Sequence, residues 1–176
     1  PNATTAGFVK ASFIDDRLTR STFWKVDASH RQLLPYEFEF EGVLDIESEE
    51  FNRNFEDSTE ERSRRNSDSH ATILKDWDHS SLEVLTRYRD STEQSSDQTF
   101  AELPQITYKI PKYAFGESAL YFNLDTSFTS YLTDLNSSLD EDDNFSVQRF
   151  DFHPQVSYAM KVAPWLSLTP TLGVRE

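Results

Sequence analysis

The side chains best suited to chemistry in this 176-residue chain are carboxylates, and several come in pairs. Glu37 and Glu39 stand two apart, and Asp15 and Asp16 are adjacent. Two carboxylates flanking one bond are what glycoside hydrolysis needs. Residues i and i+2 of a strand share a face, so Glu37 and Glu39 have a workable orientation. Yet Glu37, Glu39 and Glu41 alternate with Phe38 and Phe40. A strand with one wet face explains all three acids, where a catalytic pair explains two. His79, in Asp78-His79-Ser80 followed by Ser81, sets a base beside hydroxyls. The same tripeptide reads as a turn, and no third group is in view to orient the imidazole. Asp134, Asp140, Glu141, Asp142 and Asp143 offer oxygens to Ca2+. They lack the EF-hand spacing and its turn glycine, so the plainer reading is a solvated loop. The chain has no cysteine, and its four histidines lack metal-ligand spacing. Thiolate chemistry, disulfide frameworks and a His-rich metal centre therefore have no basis here. We expect no catalytic residue, no metal and no cofactor.

The elements that carry these residues are strands. Seventeen basic against 31 acidic side chains give a net charge of -14, which argues against a nucleic-acid partner. Only 36% of residues are hydrophobic, yet 14% are aromatic, with 14 Phe, 7 Tyr and 3 Trp. An acidic disordered chain is poor in aromatics, whereas aromatic and β-branched side chains favour strands. Period two runs through the sequence. Leu82, Val84, Thr86 and Tyr88 alternate with Glu83, Arg87 and Arg89. Leu120, Phe122, Leu124 and Phe128 alternate with Tyr121, Asn123, Asp125 and Ser127. Val156, Tyr158, Met160 and Val162 alternate with Gln155, Ser157, Ala159 and Lys161. Each stretch is apolar on one side and wet on the other.

This pattern predicts nine strands, at 7–15, 22–32, 35–46, 69–78, 81–90, 99–110, 117–132, 145–162 and 166–175. Ten residues at about 3.3 Å each span about 33 Å, enough to cross a bilayer core when tilted. The connections sort by parity. Odd ones are mostly long and polar, above all those near 47–68, 91–98 and 133–144, and even ones are mostly short. Phe51 and Phe55, spaced i, i+4, predict at most a short helix in the first of these loops. An up-and-down meander puts long loops at one end and short turns at the other, the habit of outer-membrane barrels. No stretch approaches the roughly 20 apolar residues of a membrane helix. Pro1-Asn2-Ala3-Thr4-Thr5 has neither the basic start nor the apolar core of a signal peptide. The expected fold class is all-β: an antiparallel up-and-down meander, one partial domain over 1–176, forming part of a large transmembrane outer-membrane β-barrel. A soluble all-β binding domain is the alternative.

Three stretches carry a resemblance: Glu102-Leu-Pro-Gln-Ile-Thr-Tyr108, Arg149-Phe-Asp-Phe-His-Pro154 and Trp165-Leu-Ser-Leu-Thr-Pro-Thr-Leu-Gly-Val-Arg-Glu176. With the loop and hairpin upstream, they resemble the barrel of the lipopolysaccharide-assembly outer-membrane protein family (LptD, also called Imp or OstA). Leu103, Pro104, Arg149, Asp151, Pro154 and Pro170 are the matching positions, with a structural role. The likeness runs from about Leu34 to the end and implies an interior slice of such a barrel. It implies a non-enzymatic conduit in the bacterial outer membrane that delivers lipopolysaccharide to the outer leaflet. The implied partners are lipopolysaccharide, a lipoprotein that plugs the lumen, periplasmic bridge proteins and outer-membrane lipid. Another outer-membrane barrel, such as a porin or receptor, is the runner-up.

On this reading Trp24, Val26, Phe38, Phe40, Leu82, Val84, Phe122, Leu124, Val156, Met160, Leu168 and Leu172 face lipid. Glu37, Glu39, Arg87, Asn123, Asp125, Gln155 and Lys161 face the lumen. Trp24, Trp77, Trp165 and Tyr158 suit an interfacial girdle. Pro35, Pro104, Pro111 and Pro164 fall at strand ends or turns, where a missing N–H costs least. Pro154 and Pro170 fall inside expected strands. There each deletes a ladder hydrogen bond, leaving a bulge, a frayed edge or a weakened seam.

Overall fold

The computed structural model describes residues 5–17, 20–48, 51–55, 66–91, 98–135 and 145–176. The elements in chain order are β1 (Thr5–Asp16), β2 (Ser21–Leu34), β3 (Phe38–Glu47), α1 (Phe51–Phe55), β4 (Asn66–Trp77), β5 (Ser80–Ser91), β6 (Gln98–Ala114), β7 (Leu120–Leu135), β8 (Phe145–Tyr158), β9 (Met160–Ala163), β10 (Leu166–Leu168) and β11 (Thr171–Gly173). β1 to β8 pair in sequence order, each antiparallel to the next, and β11 closes the row against β8. The result is a nine-stranded antiparallel meander. β9 and β10 form a separate two-stranded ribbon. Among the described residues β1 and β11 do not meet, so the sheet is open.

Strand length follows from the unbroken alternation. The first eight strands run from 10 to 17 residues, against the ~5–6 usual in soluble sheets. Prolines are absorbed where the ladder slips. Leu103 and Pro104 fall in one register shift of β6, between Glu102 and Gln105. Pro111 falls in a second shift, between Ile110 and Tyr113. A bulge leaves its extra residues unpaired, so no donor is missed there.

Between β2 and β3 the chain makes a 3-10 turn, Pro35–Glu37, with Tyr36 (φ 62°) and Glu37 (φ 59°) both left-handed. That conformation is costly for residues with a Cβ. Lys75 of β4 offsets the cost: its Nζ donates to the Tyr36 carbonyl at 2.6 Å and to Glu37 Oε2 at 3.0 Å. Expected strand 35–46 therefore starts later, and Glu37 belongs to a turn rather than to a strand stripe.

The C-terminal region is the other departure. The expected strand 145–162 breaks at Ala159, and expected strand 166–175 splits at Thr169–Pro170. Pro170 has no N–H to continue a ladder. Its carbonyl still accepts from Tyr158 N–H at 3.0 Å. Even-numbered β8 residues turn their backbone groups toward β11: Phe152 exchanges both bonds with Glu176, and Val174 N–H donates to the Pro154 carbonyl at 3.2 Å. Pro154 cannot return that bond. Both prolines thus remove a donor from the same seam, between β8 and β11, while the β7–β8 ladder runs unbroken over fourteen pairs.

A two-layer soluble domain of this length buries a core between its layers. Here, among the described residues, Phe51 and Ala101 are the only hydrophobic side chains that are buried.

Candidate functional site

Strand register assigns each side chain to one face of the sheet, because directly opposed residues point the same way. One face is apolar from edge to edge. Phe40, Ile73, Val84, Ile106, Phe128 and Phe150 are consecutive partners across six strands. A second row on this face joins Phe122, Val156 and Leu172. Trp24, Val26, Phe38, Leu82 and Leu124 share the face by the same register. Nothing among the described residues packs over it: Phe150 is 63% exposed and Leu172 78%. Among the polar residues that register also puts on this face, His30 and Gln32 bond each other at 3.2 Å, and Lys75 and Thr126 lie opposite Leu82 and Tyr108.

The opposite face is polar in the same orderly way. One row reads Glu39, Leu74, Glu83, Thr107, Ser127 and Asp151. The next reads Glu41, Thr72, Leu85, Gln105, Thr129 and Arg149. Its charges pair mostly across strands. Lys25 meets Glu47 at 3.7 Å, Arg31 meets Glu39 at 3.2 Å, and Asp68 lies 3.5 Å from Arg87 and 3.3 Å from Arg89. Arg87 approaches Glu102 at 3.9 Å. Asp151 receives Arg175, two residues past the end of β11, at 2.9 Å and has Arg149 on its own strand at 3.6 Å. Opposite charges facing across a ladder each add a few tenths of a kcal/mol and penalise a slipped register. They also leave this surface with little free positive charge.

Short α1 lies over the polar face. Its Phe55 ring sits 5.0 Å from Phe23, and Phe51 lies 6.0 Å from Lys25 Nζ. Phe23 and Lys25 both belong to the polar face by register. The entry is fixed by Trp24, whose carbonyl accepts from Ser48 N–H at 2.8 Å and whose N–H donates to Ser48 Oγ at 2.9 Å. Lys25 and Glu47 are thereby buried, with side chains 6% and 1% exposed.

Aromatic residues mark both ends of the apolar face. Trp77, Tyr113 and Tyr158 stand beside the short turns, and Trp24 and Tyr88 beside the longer connections. Trp77 is opposite Ser80, and Tyr88 lies eight residues further along β5. That is about 26 Å along the strand.

Of the expected lumen residues, Glu39, Arg87, Asn123, Asp125 and Gln155 share the polar face. Glu37 stands in the 3-10 turn, and Lys161 in the separate ribbon opposite Ser167. Met160 and Leu168 oppose each other in that ribbon, outside the main sheet. Arg149 and Asp151 are on the polar face, whereas Pro154 is on the apolar face opposite Leu124. Glu37 and Glu39 are held apart by different partners: Glu37 binds Lys75 and Glu39 binds Arg31. Asp140 to Asp143 lie outside the described residues. Among the described residues no group of three or more His, Asp or Glu side chains is placed to hold a metal ion. Sequence reasoning missed Lys75, which sits between the Phe38 and Trp77 rings at 5.8 and 5.9 Å. A lysine at an apolar-phase position of an alternating strand was the signal.

Residues 25–176 match the family described as LptD, LPS transport system D. A search of curated proteins finds no match.

Proposed function

The chain belongs to the LptD family, and from that premise we propose that its sheet is a stretch of barrel wall in the lipopolysaccharide translocon. The family is one of lipopolysaccharide transport and assembly at the outer membrane, not of enzymes, and its partners are lipopolysaccharide and the transport machinery. The observation that carries the reading is the apolar face. A sheet must cover one hydrophobic face with something, and no protein layer covers this one among the described residues. Hydrocarbon is the cover that the family's location supplies.

On this reading residues 1–176 are one partial domain of a larger barrel, and its open edges pair with further strands. The aromatic rows fit the two bilayer interfaces. With strands tilted by about 35–45°, the 26 Å between Trp77 and Tyr88 becomes about 20 Å of height, close to the roughly 25 Å apolar band of such barrels. The polar face lines the lumen, with Glu39, Arg87, Asn123, Asp125 and Gln155 in its wall. α1 then reaches inward at the long-loop end. Because the arginines of that face already hold carboxylates, this stretch bounds the path rather than clamping the anionic substrate. Delivery to the outer leaflet, a lipoprotein plug and a periplasmic bridge belong to the whole translocon.

Depletion of the full-length protein in its native cell tests the role. Surface lipopolysaccharide should fall while uptake of small solutes persists. Lost solute uptake with intact surface lipopolysaccharide would instead identify a porin.

A further inference from the structure

Because β3 pairs with β4, the short turns β2–β3 and β4–β5 stand side by side, and they border a cleft of about 760 Å3. Register puts four of its lining residues, Lys75, Trp77, Ser80 and Tyr108, on the apolar face. Aromatic rings flank it. Phe38 and Trp77 hold Lys75 Nζ between them at 5.8 and 5.9 Å. On the far side of the β4–β5 turn the His79 ring lies against Tyr113, with centroids 4.4 Å apart. The polar rim is fixed by a long-range tie. Lys75 Nζ donates to the Tyr36 carbonyl at 2.6 Å and to Glu37 Oε2 at 3.0 Å. The lysine side chain is 8% exposed and the glutamate side chain 85%. A buried cation thus holds an exposed carboxylate at the mouth of the cleft.

Charge decides what such a cleft takes. Glu37, Asp76 and Asp78 line it against one cation, Lys75. Two of the three donors of that lysine are already engaged on the turn. The field at the mouth is therefore negative, which draws an ammonium group and holds off an anion. Aromatic faces favour the same charge, tryptophan most of all, and Trp77 is 47% exposed. The site also suits what adjoins an ammonium in a lipid. The Ser80 hydroxyl and the Trp77 indole N–H, on opposed residues, are donors for a phosphate. Leu82 and Tyr108, opposed to each other one step further into the sheet, continue the apolar surface for acyl chains.

We propose that the cleft between the β2–β3 and β4–β5 turns is a headgroup site for an amine-bearing, zwitterionic phospholipid. The ammonium meets Glu37, Asp78 and the Trp77 ring, the phosphate meets Ser80, and the chains lie along Leu82 and Tyr108. The proposal rests on the membrane reading of the sheet. It adds selection of one lipid class at one place on a face that otherwise asks only for hydrocarbon.

The test uses full-length protein in vesicles of equal parts phosphatidylethanolamine and phosphatidylglycerol. Bromine, a contact quencher, is carried on the acyl chains of one lipid class at a time. Single cysteines Leu82→Cys, beside the cleft, and Val156→Cys, on the same face four strands away in the sheet, carry a fluorophore. Brominated phosphatidylethanolamine should quench the label at 82 several-fold more than brominated phosphatidylglycerol does, and the two should quench the label at 156 alike. Glu37→Gln with Asp78→Asn should bring the ratio at 82 close to that at 156, and either substitution alone should lower it part-way. Equal quenching at 82 by the two lipids would overturn the proposal, as would a preference that survives the double substitution. A label at 82 quenched by neither lipid, with that at 156 quenched by both, would mean that a protein partner fills the cleft and would overturn it too. A label at 156 quenched by neither lipid would instead sink the membrane reading itself, and the headgroup site with it.

Discussion

Val84 offers the sharpest perturbation of the apolar face. It sits on β5 midway between the residue opposite Trp77 and Tyr88, with Ile73 and Ile106 as its partners on either side. If Trp77 and Tyr88 mark the two interfaces, Val84 lies about 13 Å along the strand from each, or about 10 Å in height after tilt. Arg at that depth should cost about 2–4 kcal/mol, which is about 30- to 700-fold in the folding equilibrium. Glu83, one residue away, opposes Leu74 and Thr107 on the polar face, so Glu83→Arg should cost little. Tyr88→Arg should cost about 0–1 kcal/mol because it sits at an interface. The assay is reversible unfolding in phospholipid vesicles, with heat-dependent gel mobility reporting the folded barrel. Equal costs for Val84→Arg and Glu83→Arg would refute the facing. A Tyr88→Arg cost as large as that of Val84→Arg would refute the depth.

The remaining predictions concern other strands. Leu124→Arg should impair barrel assembly and Asn123→Arg should not, as judged by the folded fraction recovered from outer membranes. Lys25→Met should destabilise the full-length protein by about 3 kcal/mol, because it removes the cation 3.7 Å from a Glu47 carboxylate that is 1% exposed; denaturant unfolding would show it. Replacing Lys25 and Glu47 together with Met and Leu should restore most of that loss. In Pro170→Val the new amide faces the Tyr158 carbonyl, so hydrogen exchange at position 170 should be slow; fast exchange would mean the β8–β11 register is wrong.

Most of the sheet was legible because one rule, period two, governs it. Phe38 and Phe40 against Glu39 and Glu41, or Leu124 against Asn123 and Asp125, assign their faces without any tertiary information. Three features were not legible, each because it depends on a neighbour far along the chain. Glu37 looked like one more member of a stripe, but Lys75, 38 residues later, holds it in a turn. Period two ran on through Val156, Tyr158, Met160 and Val162, yet β7 starts at Leu120 and has no residue left to pair beyond Tyr158. The placing of α1 over the polar face depends on Phe23 and Trp24 as much as on Phe51 and Phe55. Pro154 and Pro170 announced a missing donor each, but only the register put both on one seam.

A nitroxide scan from Leu120 to Phe128 in lipid vesicles tests most directly whether hydrocarbon covers the apolar face. Collision with oxygen, which concentrates in lipid, should peak at 120, 122, 124, 126 and 128, and collision with a water-soluble nickel chelate at 121, 123, 125 and 127. Odd and even positions alike in both probes, or even positions closed to both, would contradict it.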